Sequence, residues 1–174
     1  MFSPSSRGRL TDRDLDRFAG GTLFDRLARA VCQAGCLPRK ELYEAWEVAR
    51  RVRRLFRGGR IVDLGGGHGL LAHTLLLLDD TSPGAVVVDR TLPPSAAKLH
   101  EALVRSWPRL EGRVEFLATG LDHISLASTD VVVSCHACTS ARCSFAAEGG
   151  SALSTTSAPG DESSRMRSAW ASRP

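Results

Sequence analysis

The stretch Ile61-Val62-Asp63-Leu64-Gly65-Gly66-Gly67-His68-Gly69 constrains this chain more than any other. A short apolar run enters a glycine cluster, and the strongly apolar segment Leu70 to Leu78 follows. The physical logic is a buried strand that turns sharply into a helix. Glycines permit the tight turn and let a ligand approach the backbone closely. The helix N-terminus presents free N–H groups at a positive dipole end. A carboxylate on a ligand suits that end.

The spacing discriminates between ligands. A dinucleotide site takes G-x-G-x-x-G for its pyrophosphate. Here glycines stand at 65, 67 and 69, and position 70 is Leu. Asp63, two residues before the first of these, is a poor neighbour for a pyrophosphate. A dinucleotide-dependent oxidoreductase is therefore the weakest reading of the loop.

The flanking pattern supplies the rest of the fold. Residues 1–22 read as a polar lead-in with a short helix from Thr11, capped by Thr11 or Asp12, with Asp14 in its first turn. Leu23, Leu27, Ala30 and Val31 recur at helical spacing until Gly35 and Pro38 interrupt. A second helix is expected from Arg39 to Arg57, with Leu42, Trp46, Ala49, Val52 and Phe56 on one face. Arg50, Arg53, Arg54 and Arg57 are expected elsewhere on it, and Gly58-Gly59 stops it. Arg60 to Leu64, Ala85 to Val88, Arg113 to Leu117 and Asp130 to Cys135 read as strands. Leu70 to Leu78 and Ser95 to Trp107 read as helices between them. Apolar strands alternating with helices predict an α/β fold on a parallel sheet.

Bulk properties narrow the class. A chain of 174 residues suffices for one domain with a core. No apolar run reaches the roughly 18 residues that span a bilayer, so no membrane partner is expected. The first ten residues lack an apolar signal core, which points to the cytoplasm. Five cysteines are scattered along the chain. An odd number without a secretion signal favours free thiols. Cys32 and Cys36 lie one helical turn apart, and Cys135 and Cys138 form a C-x2-C pair. Zinc takes four ligands at compact spacing, and these pairs are far apart in sequence, so no metal site is expected.

Charge is uneven. Residues 1–60 carry 14 Lys and Arg against 7 Asp and Glu, a balance of +7. Residues 61–174 carry 9 against 12, a balance of −3. A basic front end suits an anionic partner such as RNA, while its plain reading is a solvated helix face.

Asp63, Gly65, Gly67 and Gly69 form D-x-G-x-G-x-G, and Asp89 ends the next strand. This combination resembles motif I and its partner acid in the class I S-adenosylmethionine-dependent methyltransferases. Lys40 to Glu47, with Val133-Ser134-Cys135-His136-Ala137-Cys138, resembles a subfamily whose fourth strand runs into an H-A-C-G segment. The likeness covers about residues 23–138. It implies a Rossmann-like methyltransferase fold and S-adenosylmethionine as cofactor. The loop Gly65-Gly66-Gly67-His68-Gly69 would wrap the methionine part, with His68 shaping the pocket. Asp89 would bind the ribose hydroxyls, since a carboxylate accepts two hydrogen bonds from a diol. Asp122, after the third strand, is the candidate for the adenine amino group.

Methyl transfer is a displacement in which alignment and proximity dominate. A base is needed only where the acceptor is protonated. His136 stands at the C-terminal end of the fourth strand, where a doubly wound sheet places its site. It is the candidate base or substrate contact, against a packing or capping role. The Asn-Pro-Pro-aromatic signature of amino-group methylation on bases is absent. Some members of the subfamily resemble RNA methyltransferases, so the acceptor stays open.

The likeness stops inside a motif. Thr139 replaces the glycine of H-A-C-G, and no Thr-Asp pair follows. Residues 139–174 are dominated by Ser, Ala, Thr, Gly and Pro, a composition that predicts a disordered tail. A full domain of the family has strand order 3-2-1-4-5-7-6. The expectation here is an incomplete domain of the first four strands, with the fourth as an apolar edge. A frame-shifted end and a native short variant would both explain this. The expected function is methyl transfer from S-adenosylmethionine, and the rival is a non-catalytic cofactor- or partner-binding module.

Overall fold

The computed structural model describes residues 3–135, apart from the side chain of Leu121. His136, Cys138 and the 139–174 tail lie outside the described residues. Four strands form one parallel sheet: β1 (Ile61–Leu64), β2 (Ala85–Asp89), β3 (Val114–Ala118) and β4 (Val131–Val133). Their spatial order is β3-β2-β1-β4. Ile61 pairs with Ala85 on one side and with Val131 on the other. The chain steps outward from β1 to β3 and then returns to the far side of β1. That reversal makes the β1–β4 boundary a topological switch point, where open α/β sheets form a crevice at the strands' carboxyl ends. The fold is α/β and Rossmann-like.

Four α-helices accompany the sheet: α1 (Leu23–Ala34), α2 (Arg39–Leu55), α3 (Leu70–Leu78) and α4 (Ala96–Ser106). Thr22 caps α1: its Oγ1 accepts the Asp25 N–H at 3.1 Å, while Asp25 accepts from the Thr22 N–H. Gly35, at φ +63°, closes α1 in the left-handed conformation that a side chain would strain. Cys36 therefore falls beyond α1 rather than on its next turn. α3 is buried from Leu70 to Leu77, which fits its all-round apolar sequence. α1 packs on α4 and α2 on α3. All four share one core with Ile61, Ala85, Val87, Val131 and Val133 on one sheet face.

The other sheet face carries Val62, Val86 and Val88, with Leu64, Leu117 and Ile124 against them. Among the described residues β4 pairs only with β1, and Val132 is 38% exposed.

Two features depart from the sequence pattern. The lead-in is not merely polar: a 3-10 helix spans Asp12–Phe18, and Leu10 and Phe18 enter the core. An isolated bridge joins Arg9 to Pro38, which ties the lead-in to the start of α2. α2 ends at Leu55, with Phe56 extended and 54% exposed, so Phe56 leaves the apolar face. Arg53 takes a buried place instead, at 4% exposure. It pairs with Asp79 at 3.2 Å and donates to Leu75 O and Ser82 Oγ. A buried cation persists only when paired and hydrogen-bonded, and Asp79 supplies the pairing.

No helix among the described residues is long and apolar enough to cross a membrane.

Candidate functional site

β1 delivers the glycine loop to the switch point. Gly65, Gly67 and Gly69 have φ of +66°, +50° and +74°. Only glycine adopts these angles without strain. The space around them differs by position. A Cβ on Gly69 would meet Val87 at 2.9 Å and Phe116 at 3.0 Å, so Gly69 lets α3 close on the sheet. A Cβ on Gly66 would meet the Asp63 carboxyl at 2.7 Å. Gly65 and Gly67 have nothing within 4 Å of that position. The backbone there is open to a ligand.

Asp63 and Asp89 flank this cradle. Asp89 is half-buried at the end of β2. Its Oδ2 accepts the Gly67 N–H and its Oδ1 the Thr91 N–H, both at 3.1 Å. Each oxygen keeps a lone pair for a further donor. Asp63 is 1% exposed. Its Oδ2 accepts the Ala72 N–H at 3.3 Å, capping the first turn of α3. Its Oδ1 is buried with no partner among the described residues. Burial, opposed by the Ala72 bond and reinforced by Asp89, pushes the Asp63 carboxyl up to about 7.

The loop is braced from outside. His68 Nε2 meets Ser95 Oγ at 2.9 Å, which ties the loop to the start of α4. Burial lowers the pKa of His68, favouring the neutral ring. His73 is wholly buried, and its Nδ1 donates to Gly69 O at 2.6 Å. Since a carbonyl only accepts, Nε2 of the neutral ring then accepts from His100 Nδ1 at 3.0 Å. Burial drops His73 to about 4, so its own ring stays neutral over the physiological range.

A small cleft, open to solvent, lies against the loop. Asp63, Gly65 and Gly66 come to it from β1, Cys135 from the end of β4, and Glu41 from α2. Burial, then the carboxylates of Glu44, Asp63 and Glu41, pushes the Cys135 thiol up to about 11. It is protonated at neutral pH and is no nucleophile.

The residues predicted from the sequence thus fall in three groups. Asp63, Gly65, Gly66, Gly67, His68, Gly69 and Asp89 are joined by the contacts above. Asp122 sits on a 3-10 turn, Leu121–His123, after β3; its exposed carboxylate faces His123 at 3.2 Å. His136 lies outside the described residues, directly after Cys135. Sequence reasoning missed Glu41, Cys135 and the His73–His100 brace. The brace carries no local signal, because a histidine within an apolar helix reads as packing. No group of three or more His, Cys, Asp or Glu among the described residues is placed to hold a metal.

No family profile and no curated protein matches this chain. Solved structures do. A proposed RNA methyltransferase of Pyrococcus horikoshii is similar at 20% identity and TM-score 0.38, over 56% of this chain and 44% of that one. TrmK of M. capricolum, solved with S-adenosylhomocysteine, is similar at 17% identity and TM-score 0.36, over 51% and 40%. The S-adenosylmethionine-dependent methyltransferase SibL is similar at 22% identity and TM-score 0.40, over 75% and 38%. The chain spans less than half the length of each of these three.

Proposed function

We propose that this chain binds S-adenosylmethionine at the β1 glycine loop and belongs to a methyltransferase, with RNA as the acceptor class. The observation that carries the reading is the acid pair around an open glycine cradle. Asp63 has a buried, unpartnered oxygen, Asp89 has free lone pairs, and Gly65 and Gly67 leave room above the backbone. A cofactor with a diol and an ammonium fits this donor-hungry set. A pyrophosphate would meet carboxylates at 63 and 89, which speaks against a dinucleotide.

When bound, S-adenosylmethionine supplies an electrophilic methyl group on a sulfonium. The chain's own part is positioning. Asp89 would hold the ribose hydroxyls, and Gly65 to Gly69 the methionine part. The N–H groups opening α3 would receive the methionine carboxylate. Cys135, as a protonated thiol, offers an apolar wall rather than a reacting group. His136 follows it and is the candidate base for a protonated acceptor. RNA is favoured by the +7 balance of residues 1–60, which include the solvent-facing Arg50, Arg51 and Arg54 of α2.

Calorimetric titration of the full chain with S-adenosylhomocysteine and with a nicotinamide dinucleotide tests the reading. Micromolar binding of the first alone is expected, lost in Asp89→Ala and Gly67→Arg. Binding of the dinucleotide instead, or of neither by a folded sample, rejects it.

A further inference from the structure

The C-terminal end of α2 departs from its own periodicity. Helical spacing puts Phe56 one turn past Val52, on the apolar face. The helix stops at Leu55 instead, and Phe56 turns extended at φ −129° and ψ 135°. Leu55 is then 77% exposed and Phe56 54%. These neighbours are the two most exposed large hydrophobic residues among the described ones. Arg53, three residues before, is buried and paired with Asp79. The fold thus buries a cation and leaves a ring in water, the reverse of the usual preference.

Arginines flank the two apolar side chains. Arg50, Arg51, Arg54 and Arg57 are all exposed. Glu47, Arg50, Arg51 and Arg54 follow i, i+3, i+4, i+7 spacing, so they share one stripe of α2. The hydrogen bond from Arg51 holds the Glu47 carboxyl below its usual range, and the charges of Arg50 and Arg54 add to it. Arg57 donates to Leu78 O at 3.4 Å and carries the patch round the helix end. Asp80, two residues beyond that carbonyl, is engaged by Arg109. Four guanidinium groups against one carboxylate on this stretch favour an anionic partner.

A water-exposed ring among guanidinium groups suits a nucleic-acid strand with open bases. A base stacks on the ring, and the arginines take phosphates. A duplex offers the phosphates without a free base face. A helix lying in a membrane surface needs an apolar stripe along its length. α2 buries that stripe, at Leu42, Ala45 and Ala49, in the core. We propose that the end of α2, Arg50 to Arg57, is a docking surface for single-stranded RNA, with Phe56 as the base platform. The proposal rests on the RNA reading above and adds where the strand docks and that it docks unpaired. The surface is remote from the cofactor loop: Gly58-Gly59 leads into the start of β1, and the loop leaves its other end. Along the helix, Leu55 is about 21 Å from the cleft-lining Glu41 at the ordinary rise per residue. A docked strand therefore reaches the cleft only as an oligonucleotide.

Fluorescence anisotropy of a labelled oligouridine on the full chain tests the surface, with calorimetric S-adenosylhomocysteine binding as a second readout. Wild type should bind the single strand more tightly than a duplex RNA of equal length. Phe56→Ala and Phe56→Leu should each weaken the single strand about tenfold, the loss of one stacked base. Phe56→Trp should keep the affinity. Arg54→Gln should weaken binding and reduce the slope of log affinity against log salt by about 0.7. Glu47→Gln should tighten binding by removing the acid of the stripe, and Arg105→Gln, on α4, should leave it unchanged. Every variant should keep its affinity for S-adenosylhomocysteine. Phe56→Leu that binds RNA as wild type does, or equal affinity for the duplex, would overturn the base platform. Tighter binding to vesicles of anionic phospholipid than to RNA would give the surface to a membrane instead. Self-association that depends on Phe56 would give it to a second copy of the chain. Wild type that binds S-adenosylhomocysteine but no RNA would overturn the docking surface while the cofactor reading stood. The expected RNA pattern without S-adenosylhomocysteine binding would reject the cofactor reading and leave the surface standing.

Discussion

The two ends of α3 each hold a buried aspartate, and the protein treats them in opposite ways. At the C-terminal end, Asp79 is 5% exposed and fully engaged. It accepts from the Gly58 N–H, the Thr81 N–H and the Thr81 hydroxyl, and it pairs with Arg53. Burial opposes its ionisation, yet these hydrogen bonds and the Arg53 charge prevail and hold it near 2. At the N-terminal end, Asp63 has one backbone donor and an orphaned oxygen, and it is pushed up to about 7. A carboxylate that only had to cap a helix would be satisfied like Asp79. Asp63 lines a cleft and keeps one buried oxygen without a partner among the described residues. The comparison separates a residue that holds the fold from one that leaves capacity for a ligand.

The strongest way to break the comparison is to remove the partner that makes Asp79 stable. Arg53→Ala leaves a buried carboxylate without its cation and should cost about 4 kcal/mol. Urea unfolding at neutral pH should show this as a large fall in midpoint. A loss below about 1 kcal/mol would place the pair in solvent.

The second test exploits the opposite signs of the two shifts. Asp63 has a folded pKa above its unfolded value, so the native state binds the extra proton between about pH 4 and 7. Stability from this group is present below pH 4 and lost as pH rises through 7, by roughly 4 kcal/mol at most. Asp63→Asn removes that loss, while its amide inherits the missing partner at a cost of about 1–3 kcal/mol. A net gain of about 2 kcal/mol at pH 8 is expected, together with weaker S-adenosylhomocysteine binding. Asp79 has a folded pKa below its unfolded value. Its contribution, about 2 kcal/mol, is present above pH 4 and lost as pH falls through 2. The difference in unfolding free energy between wild type and Asp79→Asn should shrink over that acid range. Curves for Asp63→Asn and Asp79→Asn that diverge from wild type on the same side of pH 4 would contradict the contrast.

Smaller effects sharpen it. Gly67→Ala adds a side chain at φ +50° with open space around it, so about 1 kcal/mol of backbone strain is expected and no clash. Ligand binding should fall much further than stability does. Glu47→Gln removes an exposed pair with Arg51 at 2.8 Å on α2 and should cost only about 0.3–0.5 kcal/mol.

The same contrast explains what the sequence discloses. The cradle is legible because positive φ at 65, 67 and 69 demands glycine, and glycine leaves a visible spacing. α3 is legible because its helix is apolar on every side and both ends carry breaks. Asp89 is legible as the polar end of a buried strand. Arg53 is not, because an arginine on an amphipathic helix reads as solvated until a distant aspartate is folded against it. Phe56 errs the other way: helical periodicity extends the apolar face past the residue where the helix stops. Glu41 is hidden for a related reason. It reaches the cleft only through the packing of α2 beside β1. Local pattern records what the backbone needs, and it does not record which polar group remains unsatisfied after packing.

The most direct measurement is a carboxyl-carbon NMR titration of Asp63, with and without saturating S-adenosylhomocysteine. The account predicts an ionisation near pH 7 in the free protein that moves down clearly when the ligand's ammonium reaches Oδ1. An Asp63 that titrates in the ordinary carboxylate range, or one that ignores a bound ligand, would contradict it.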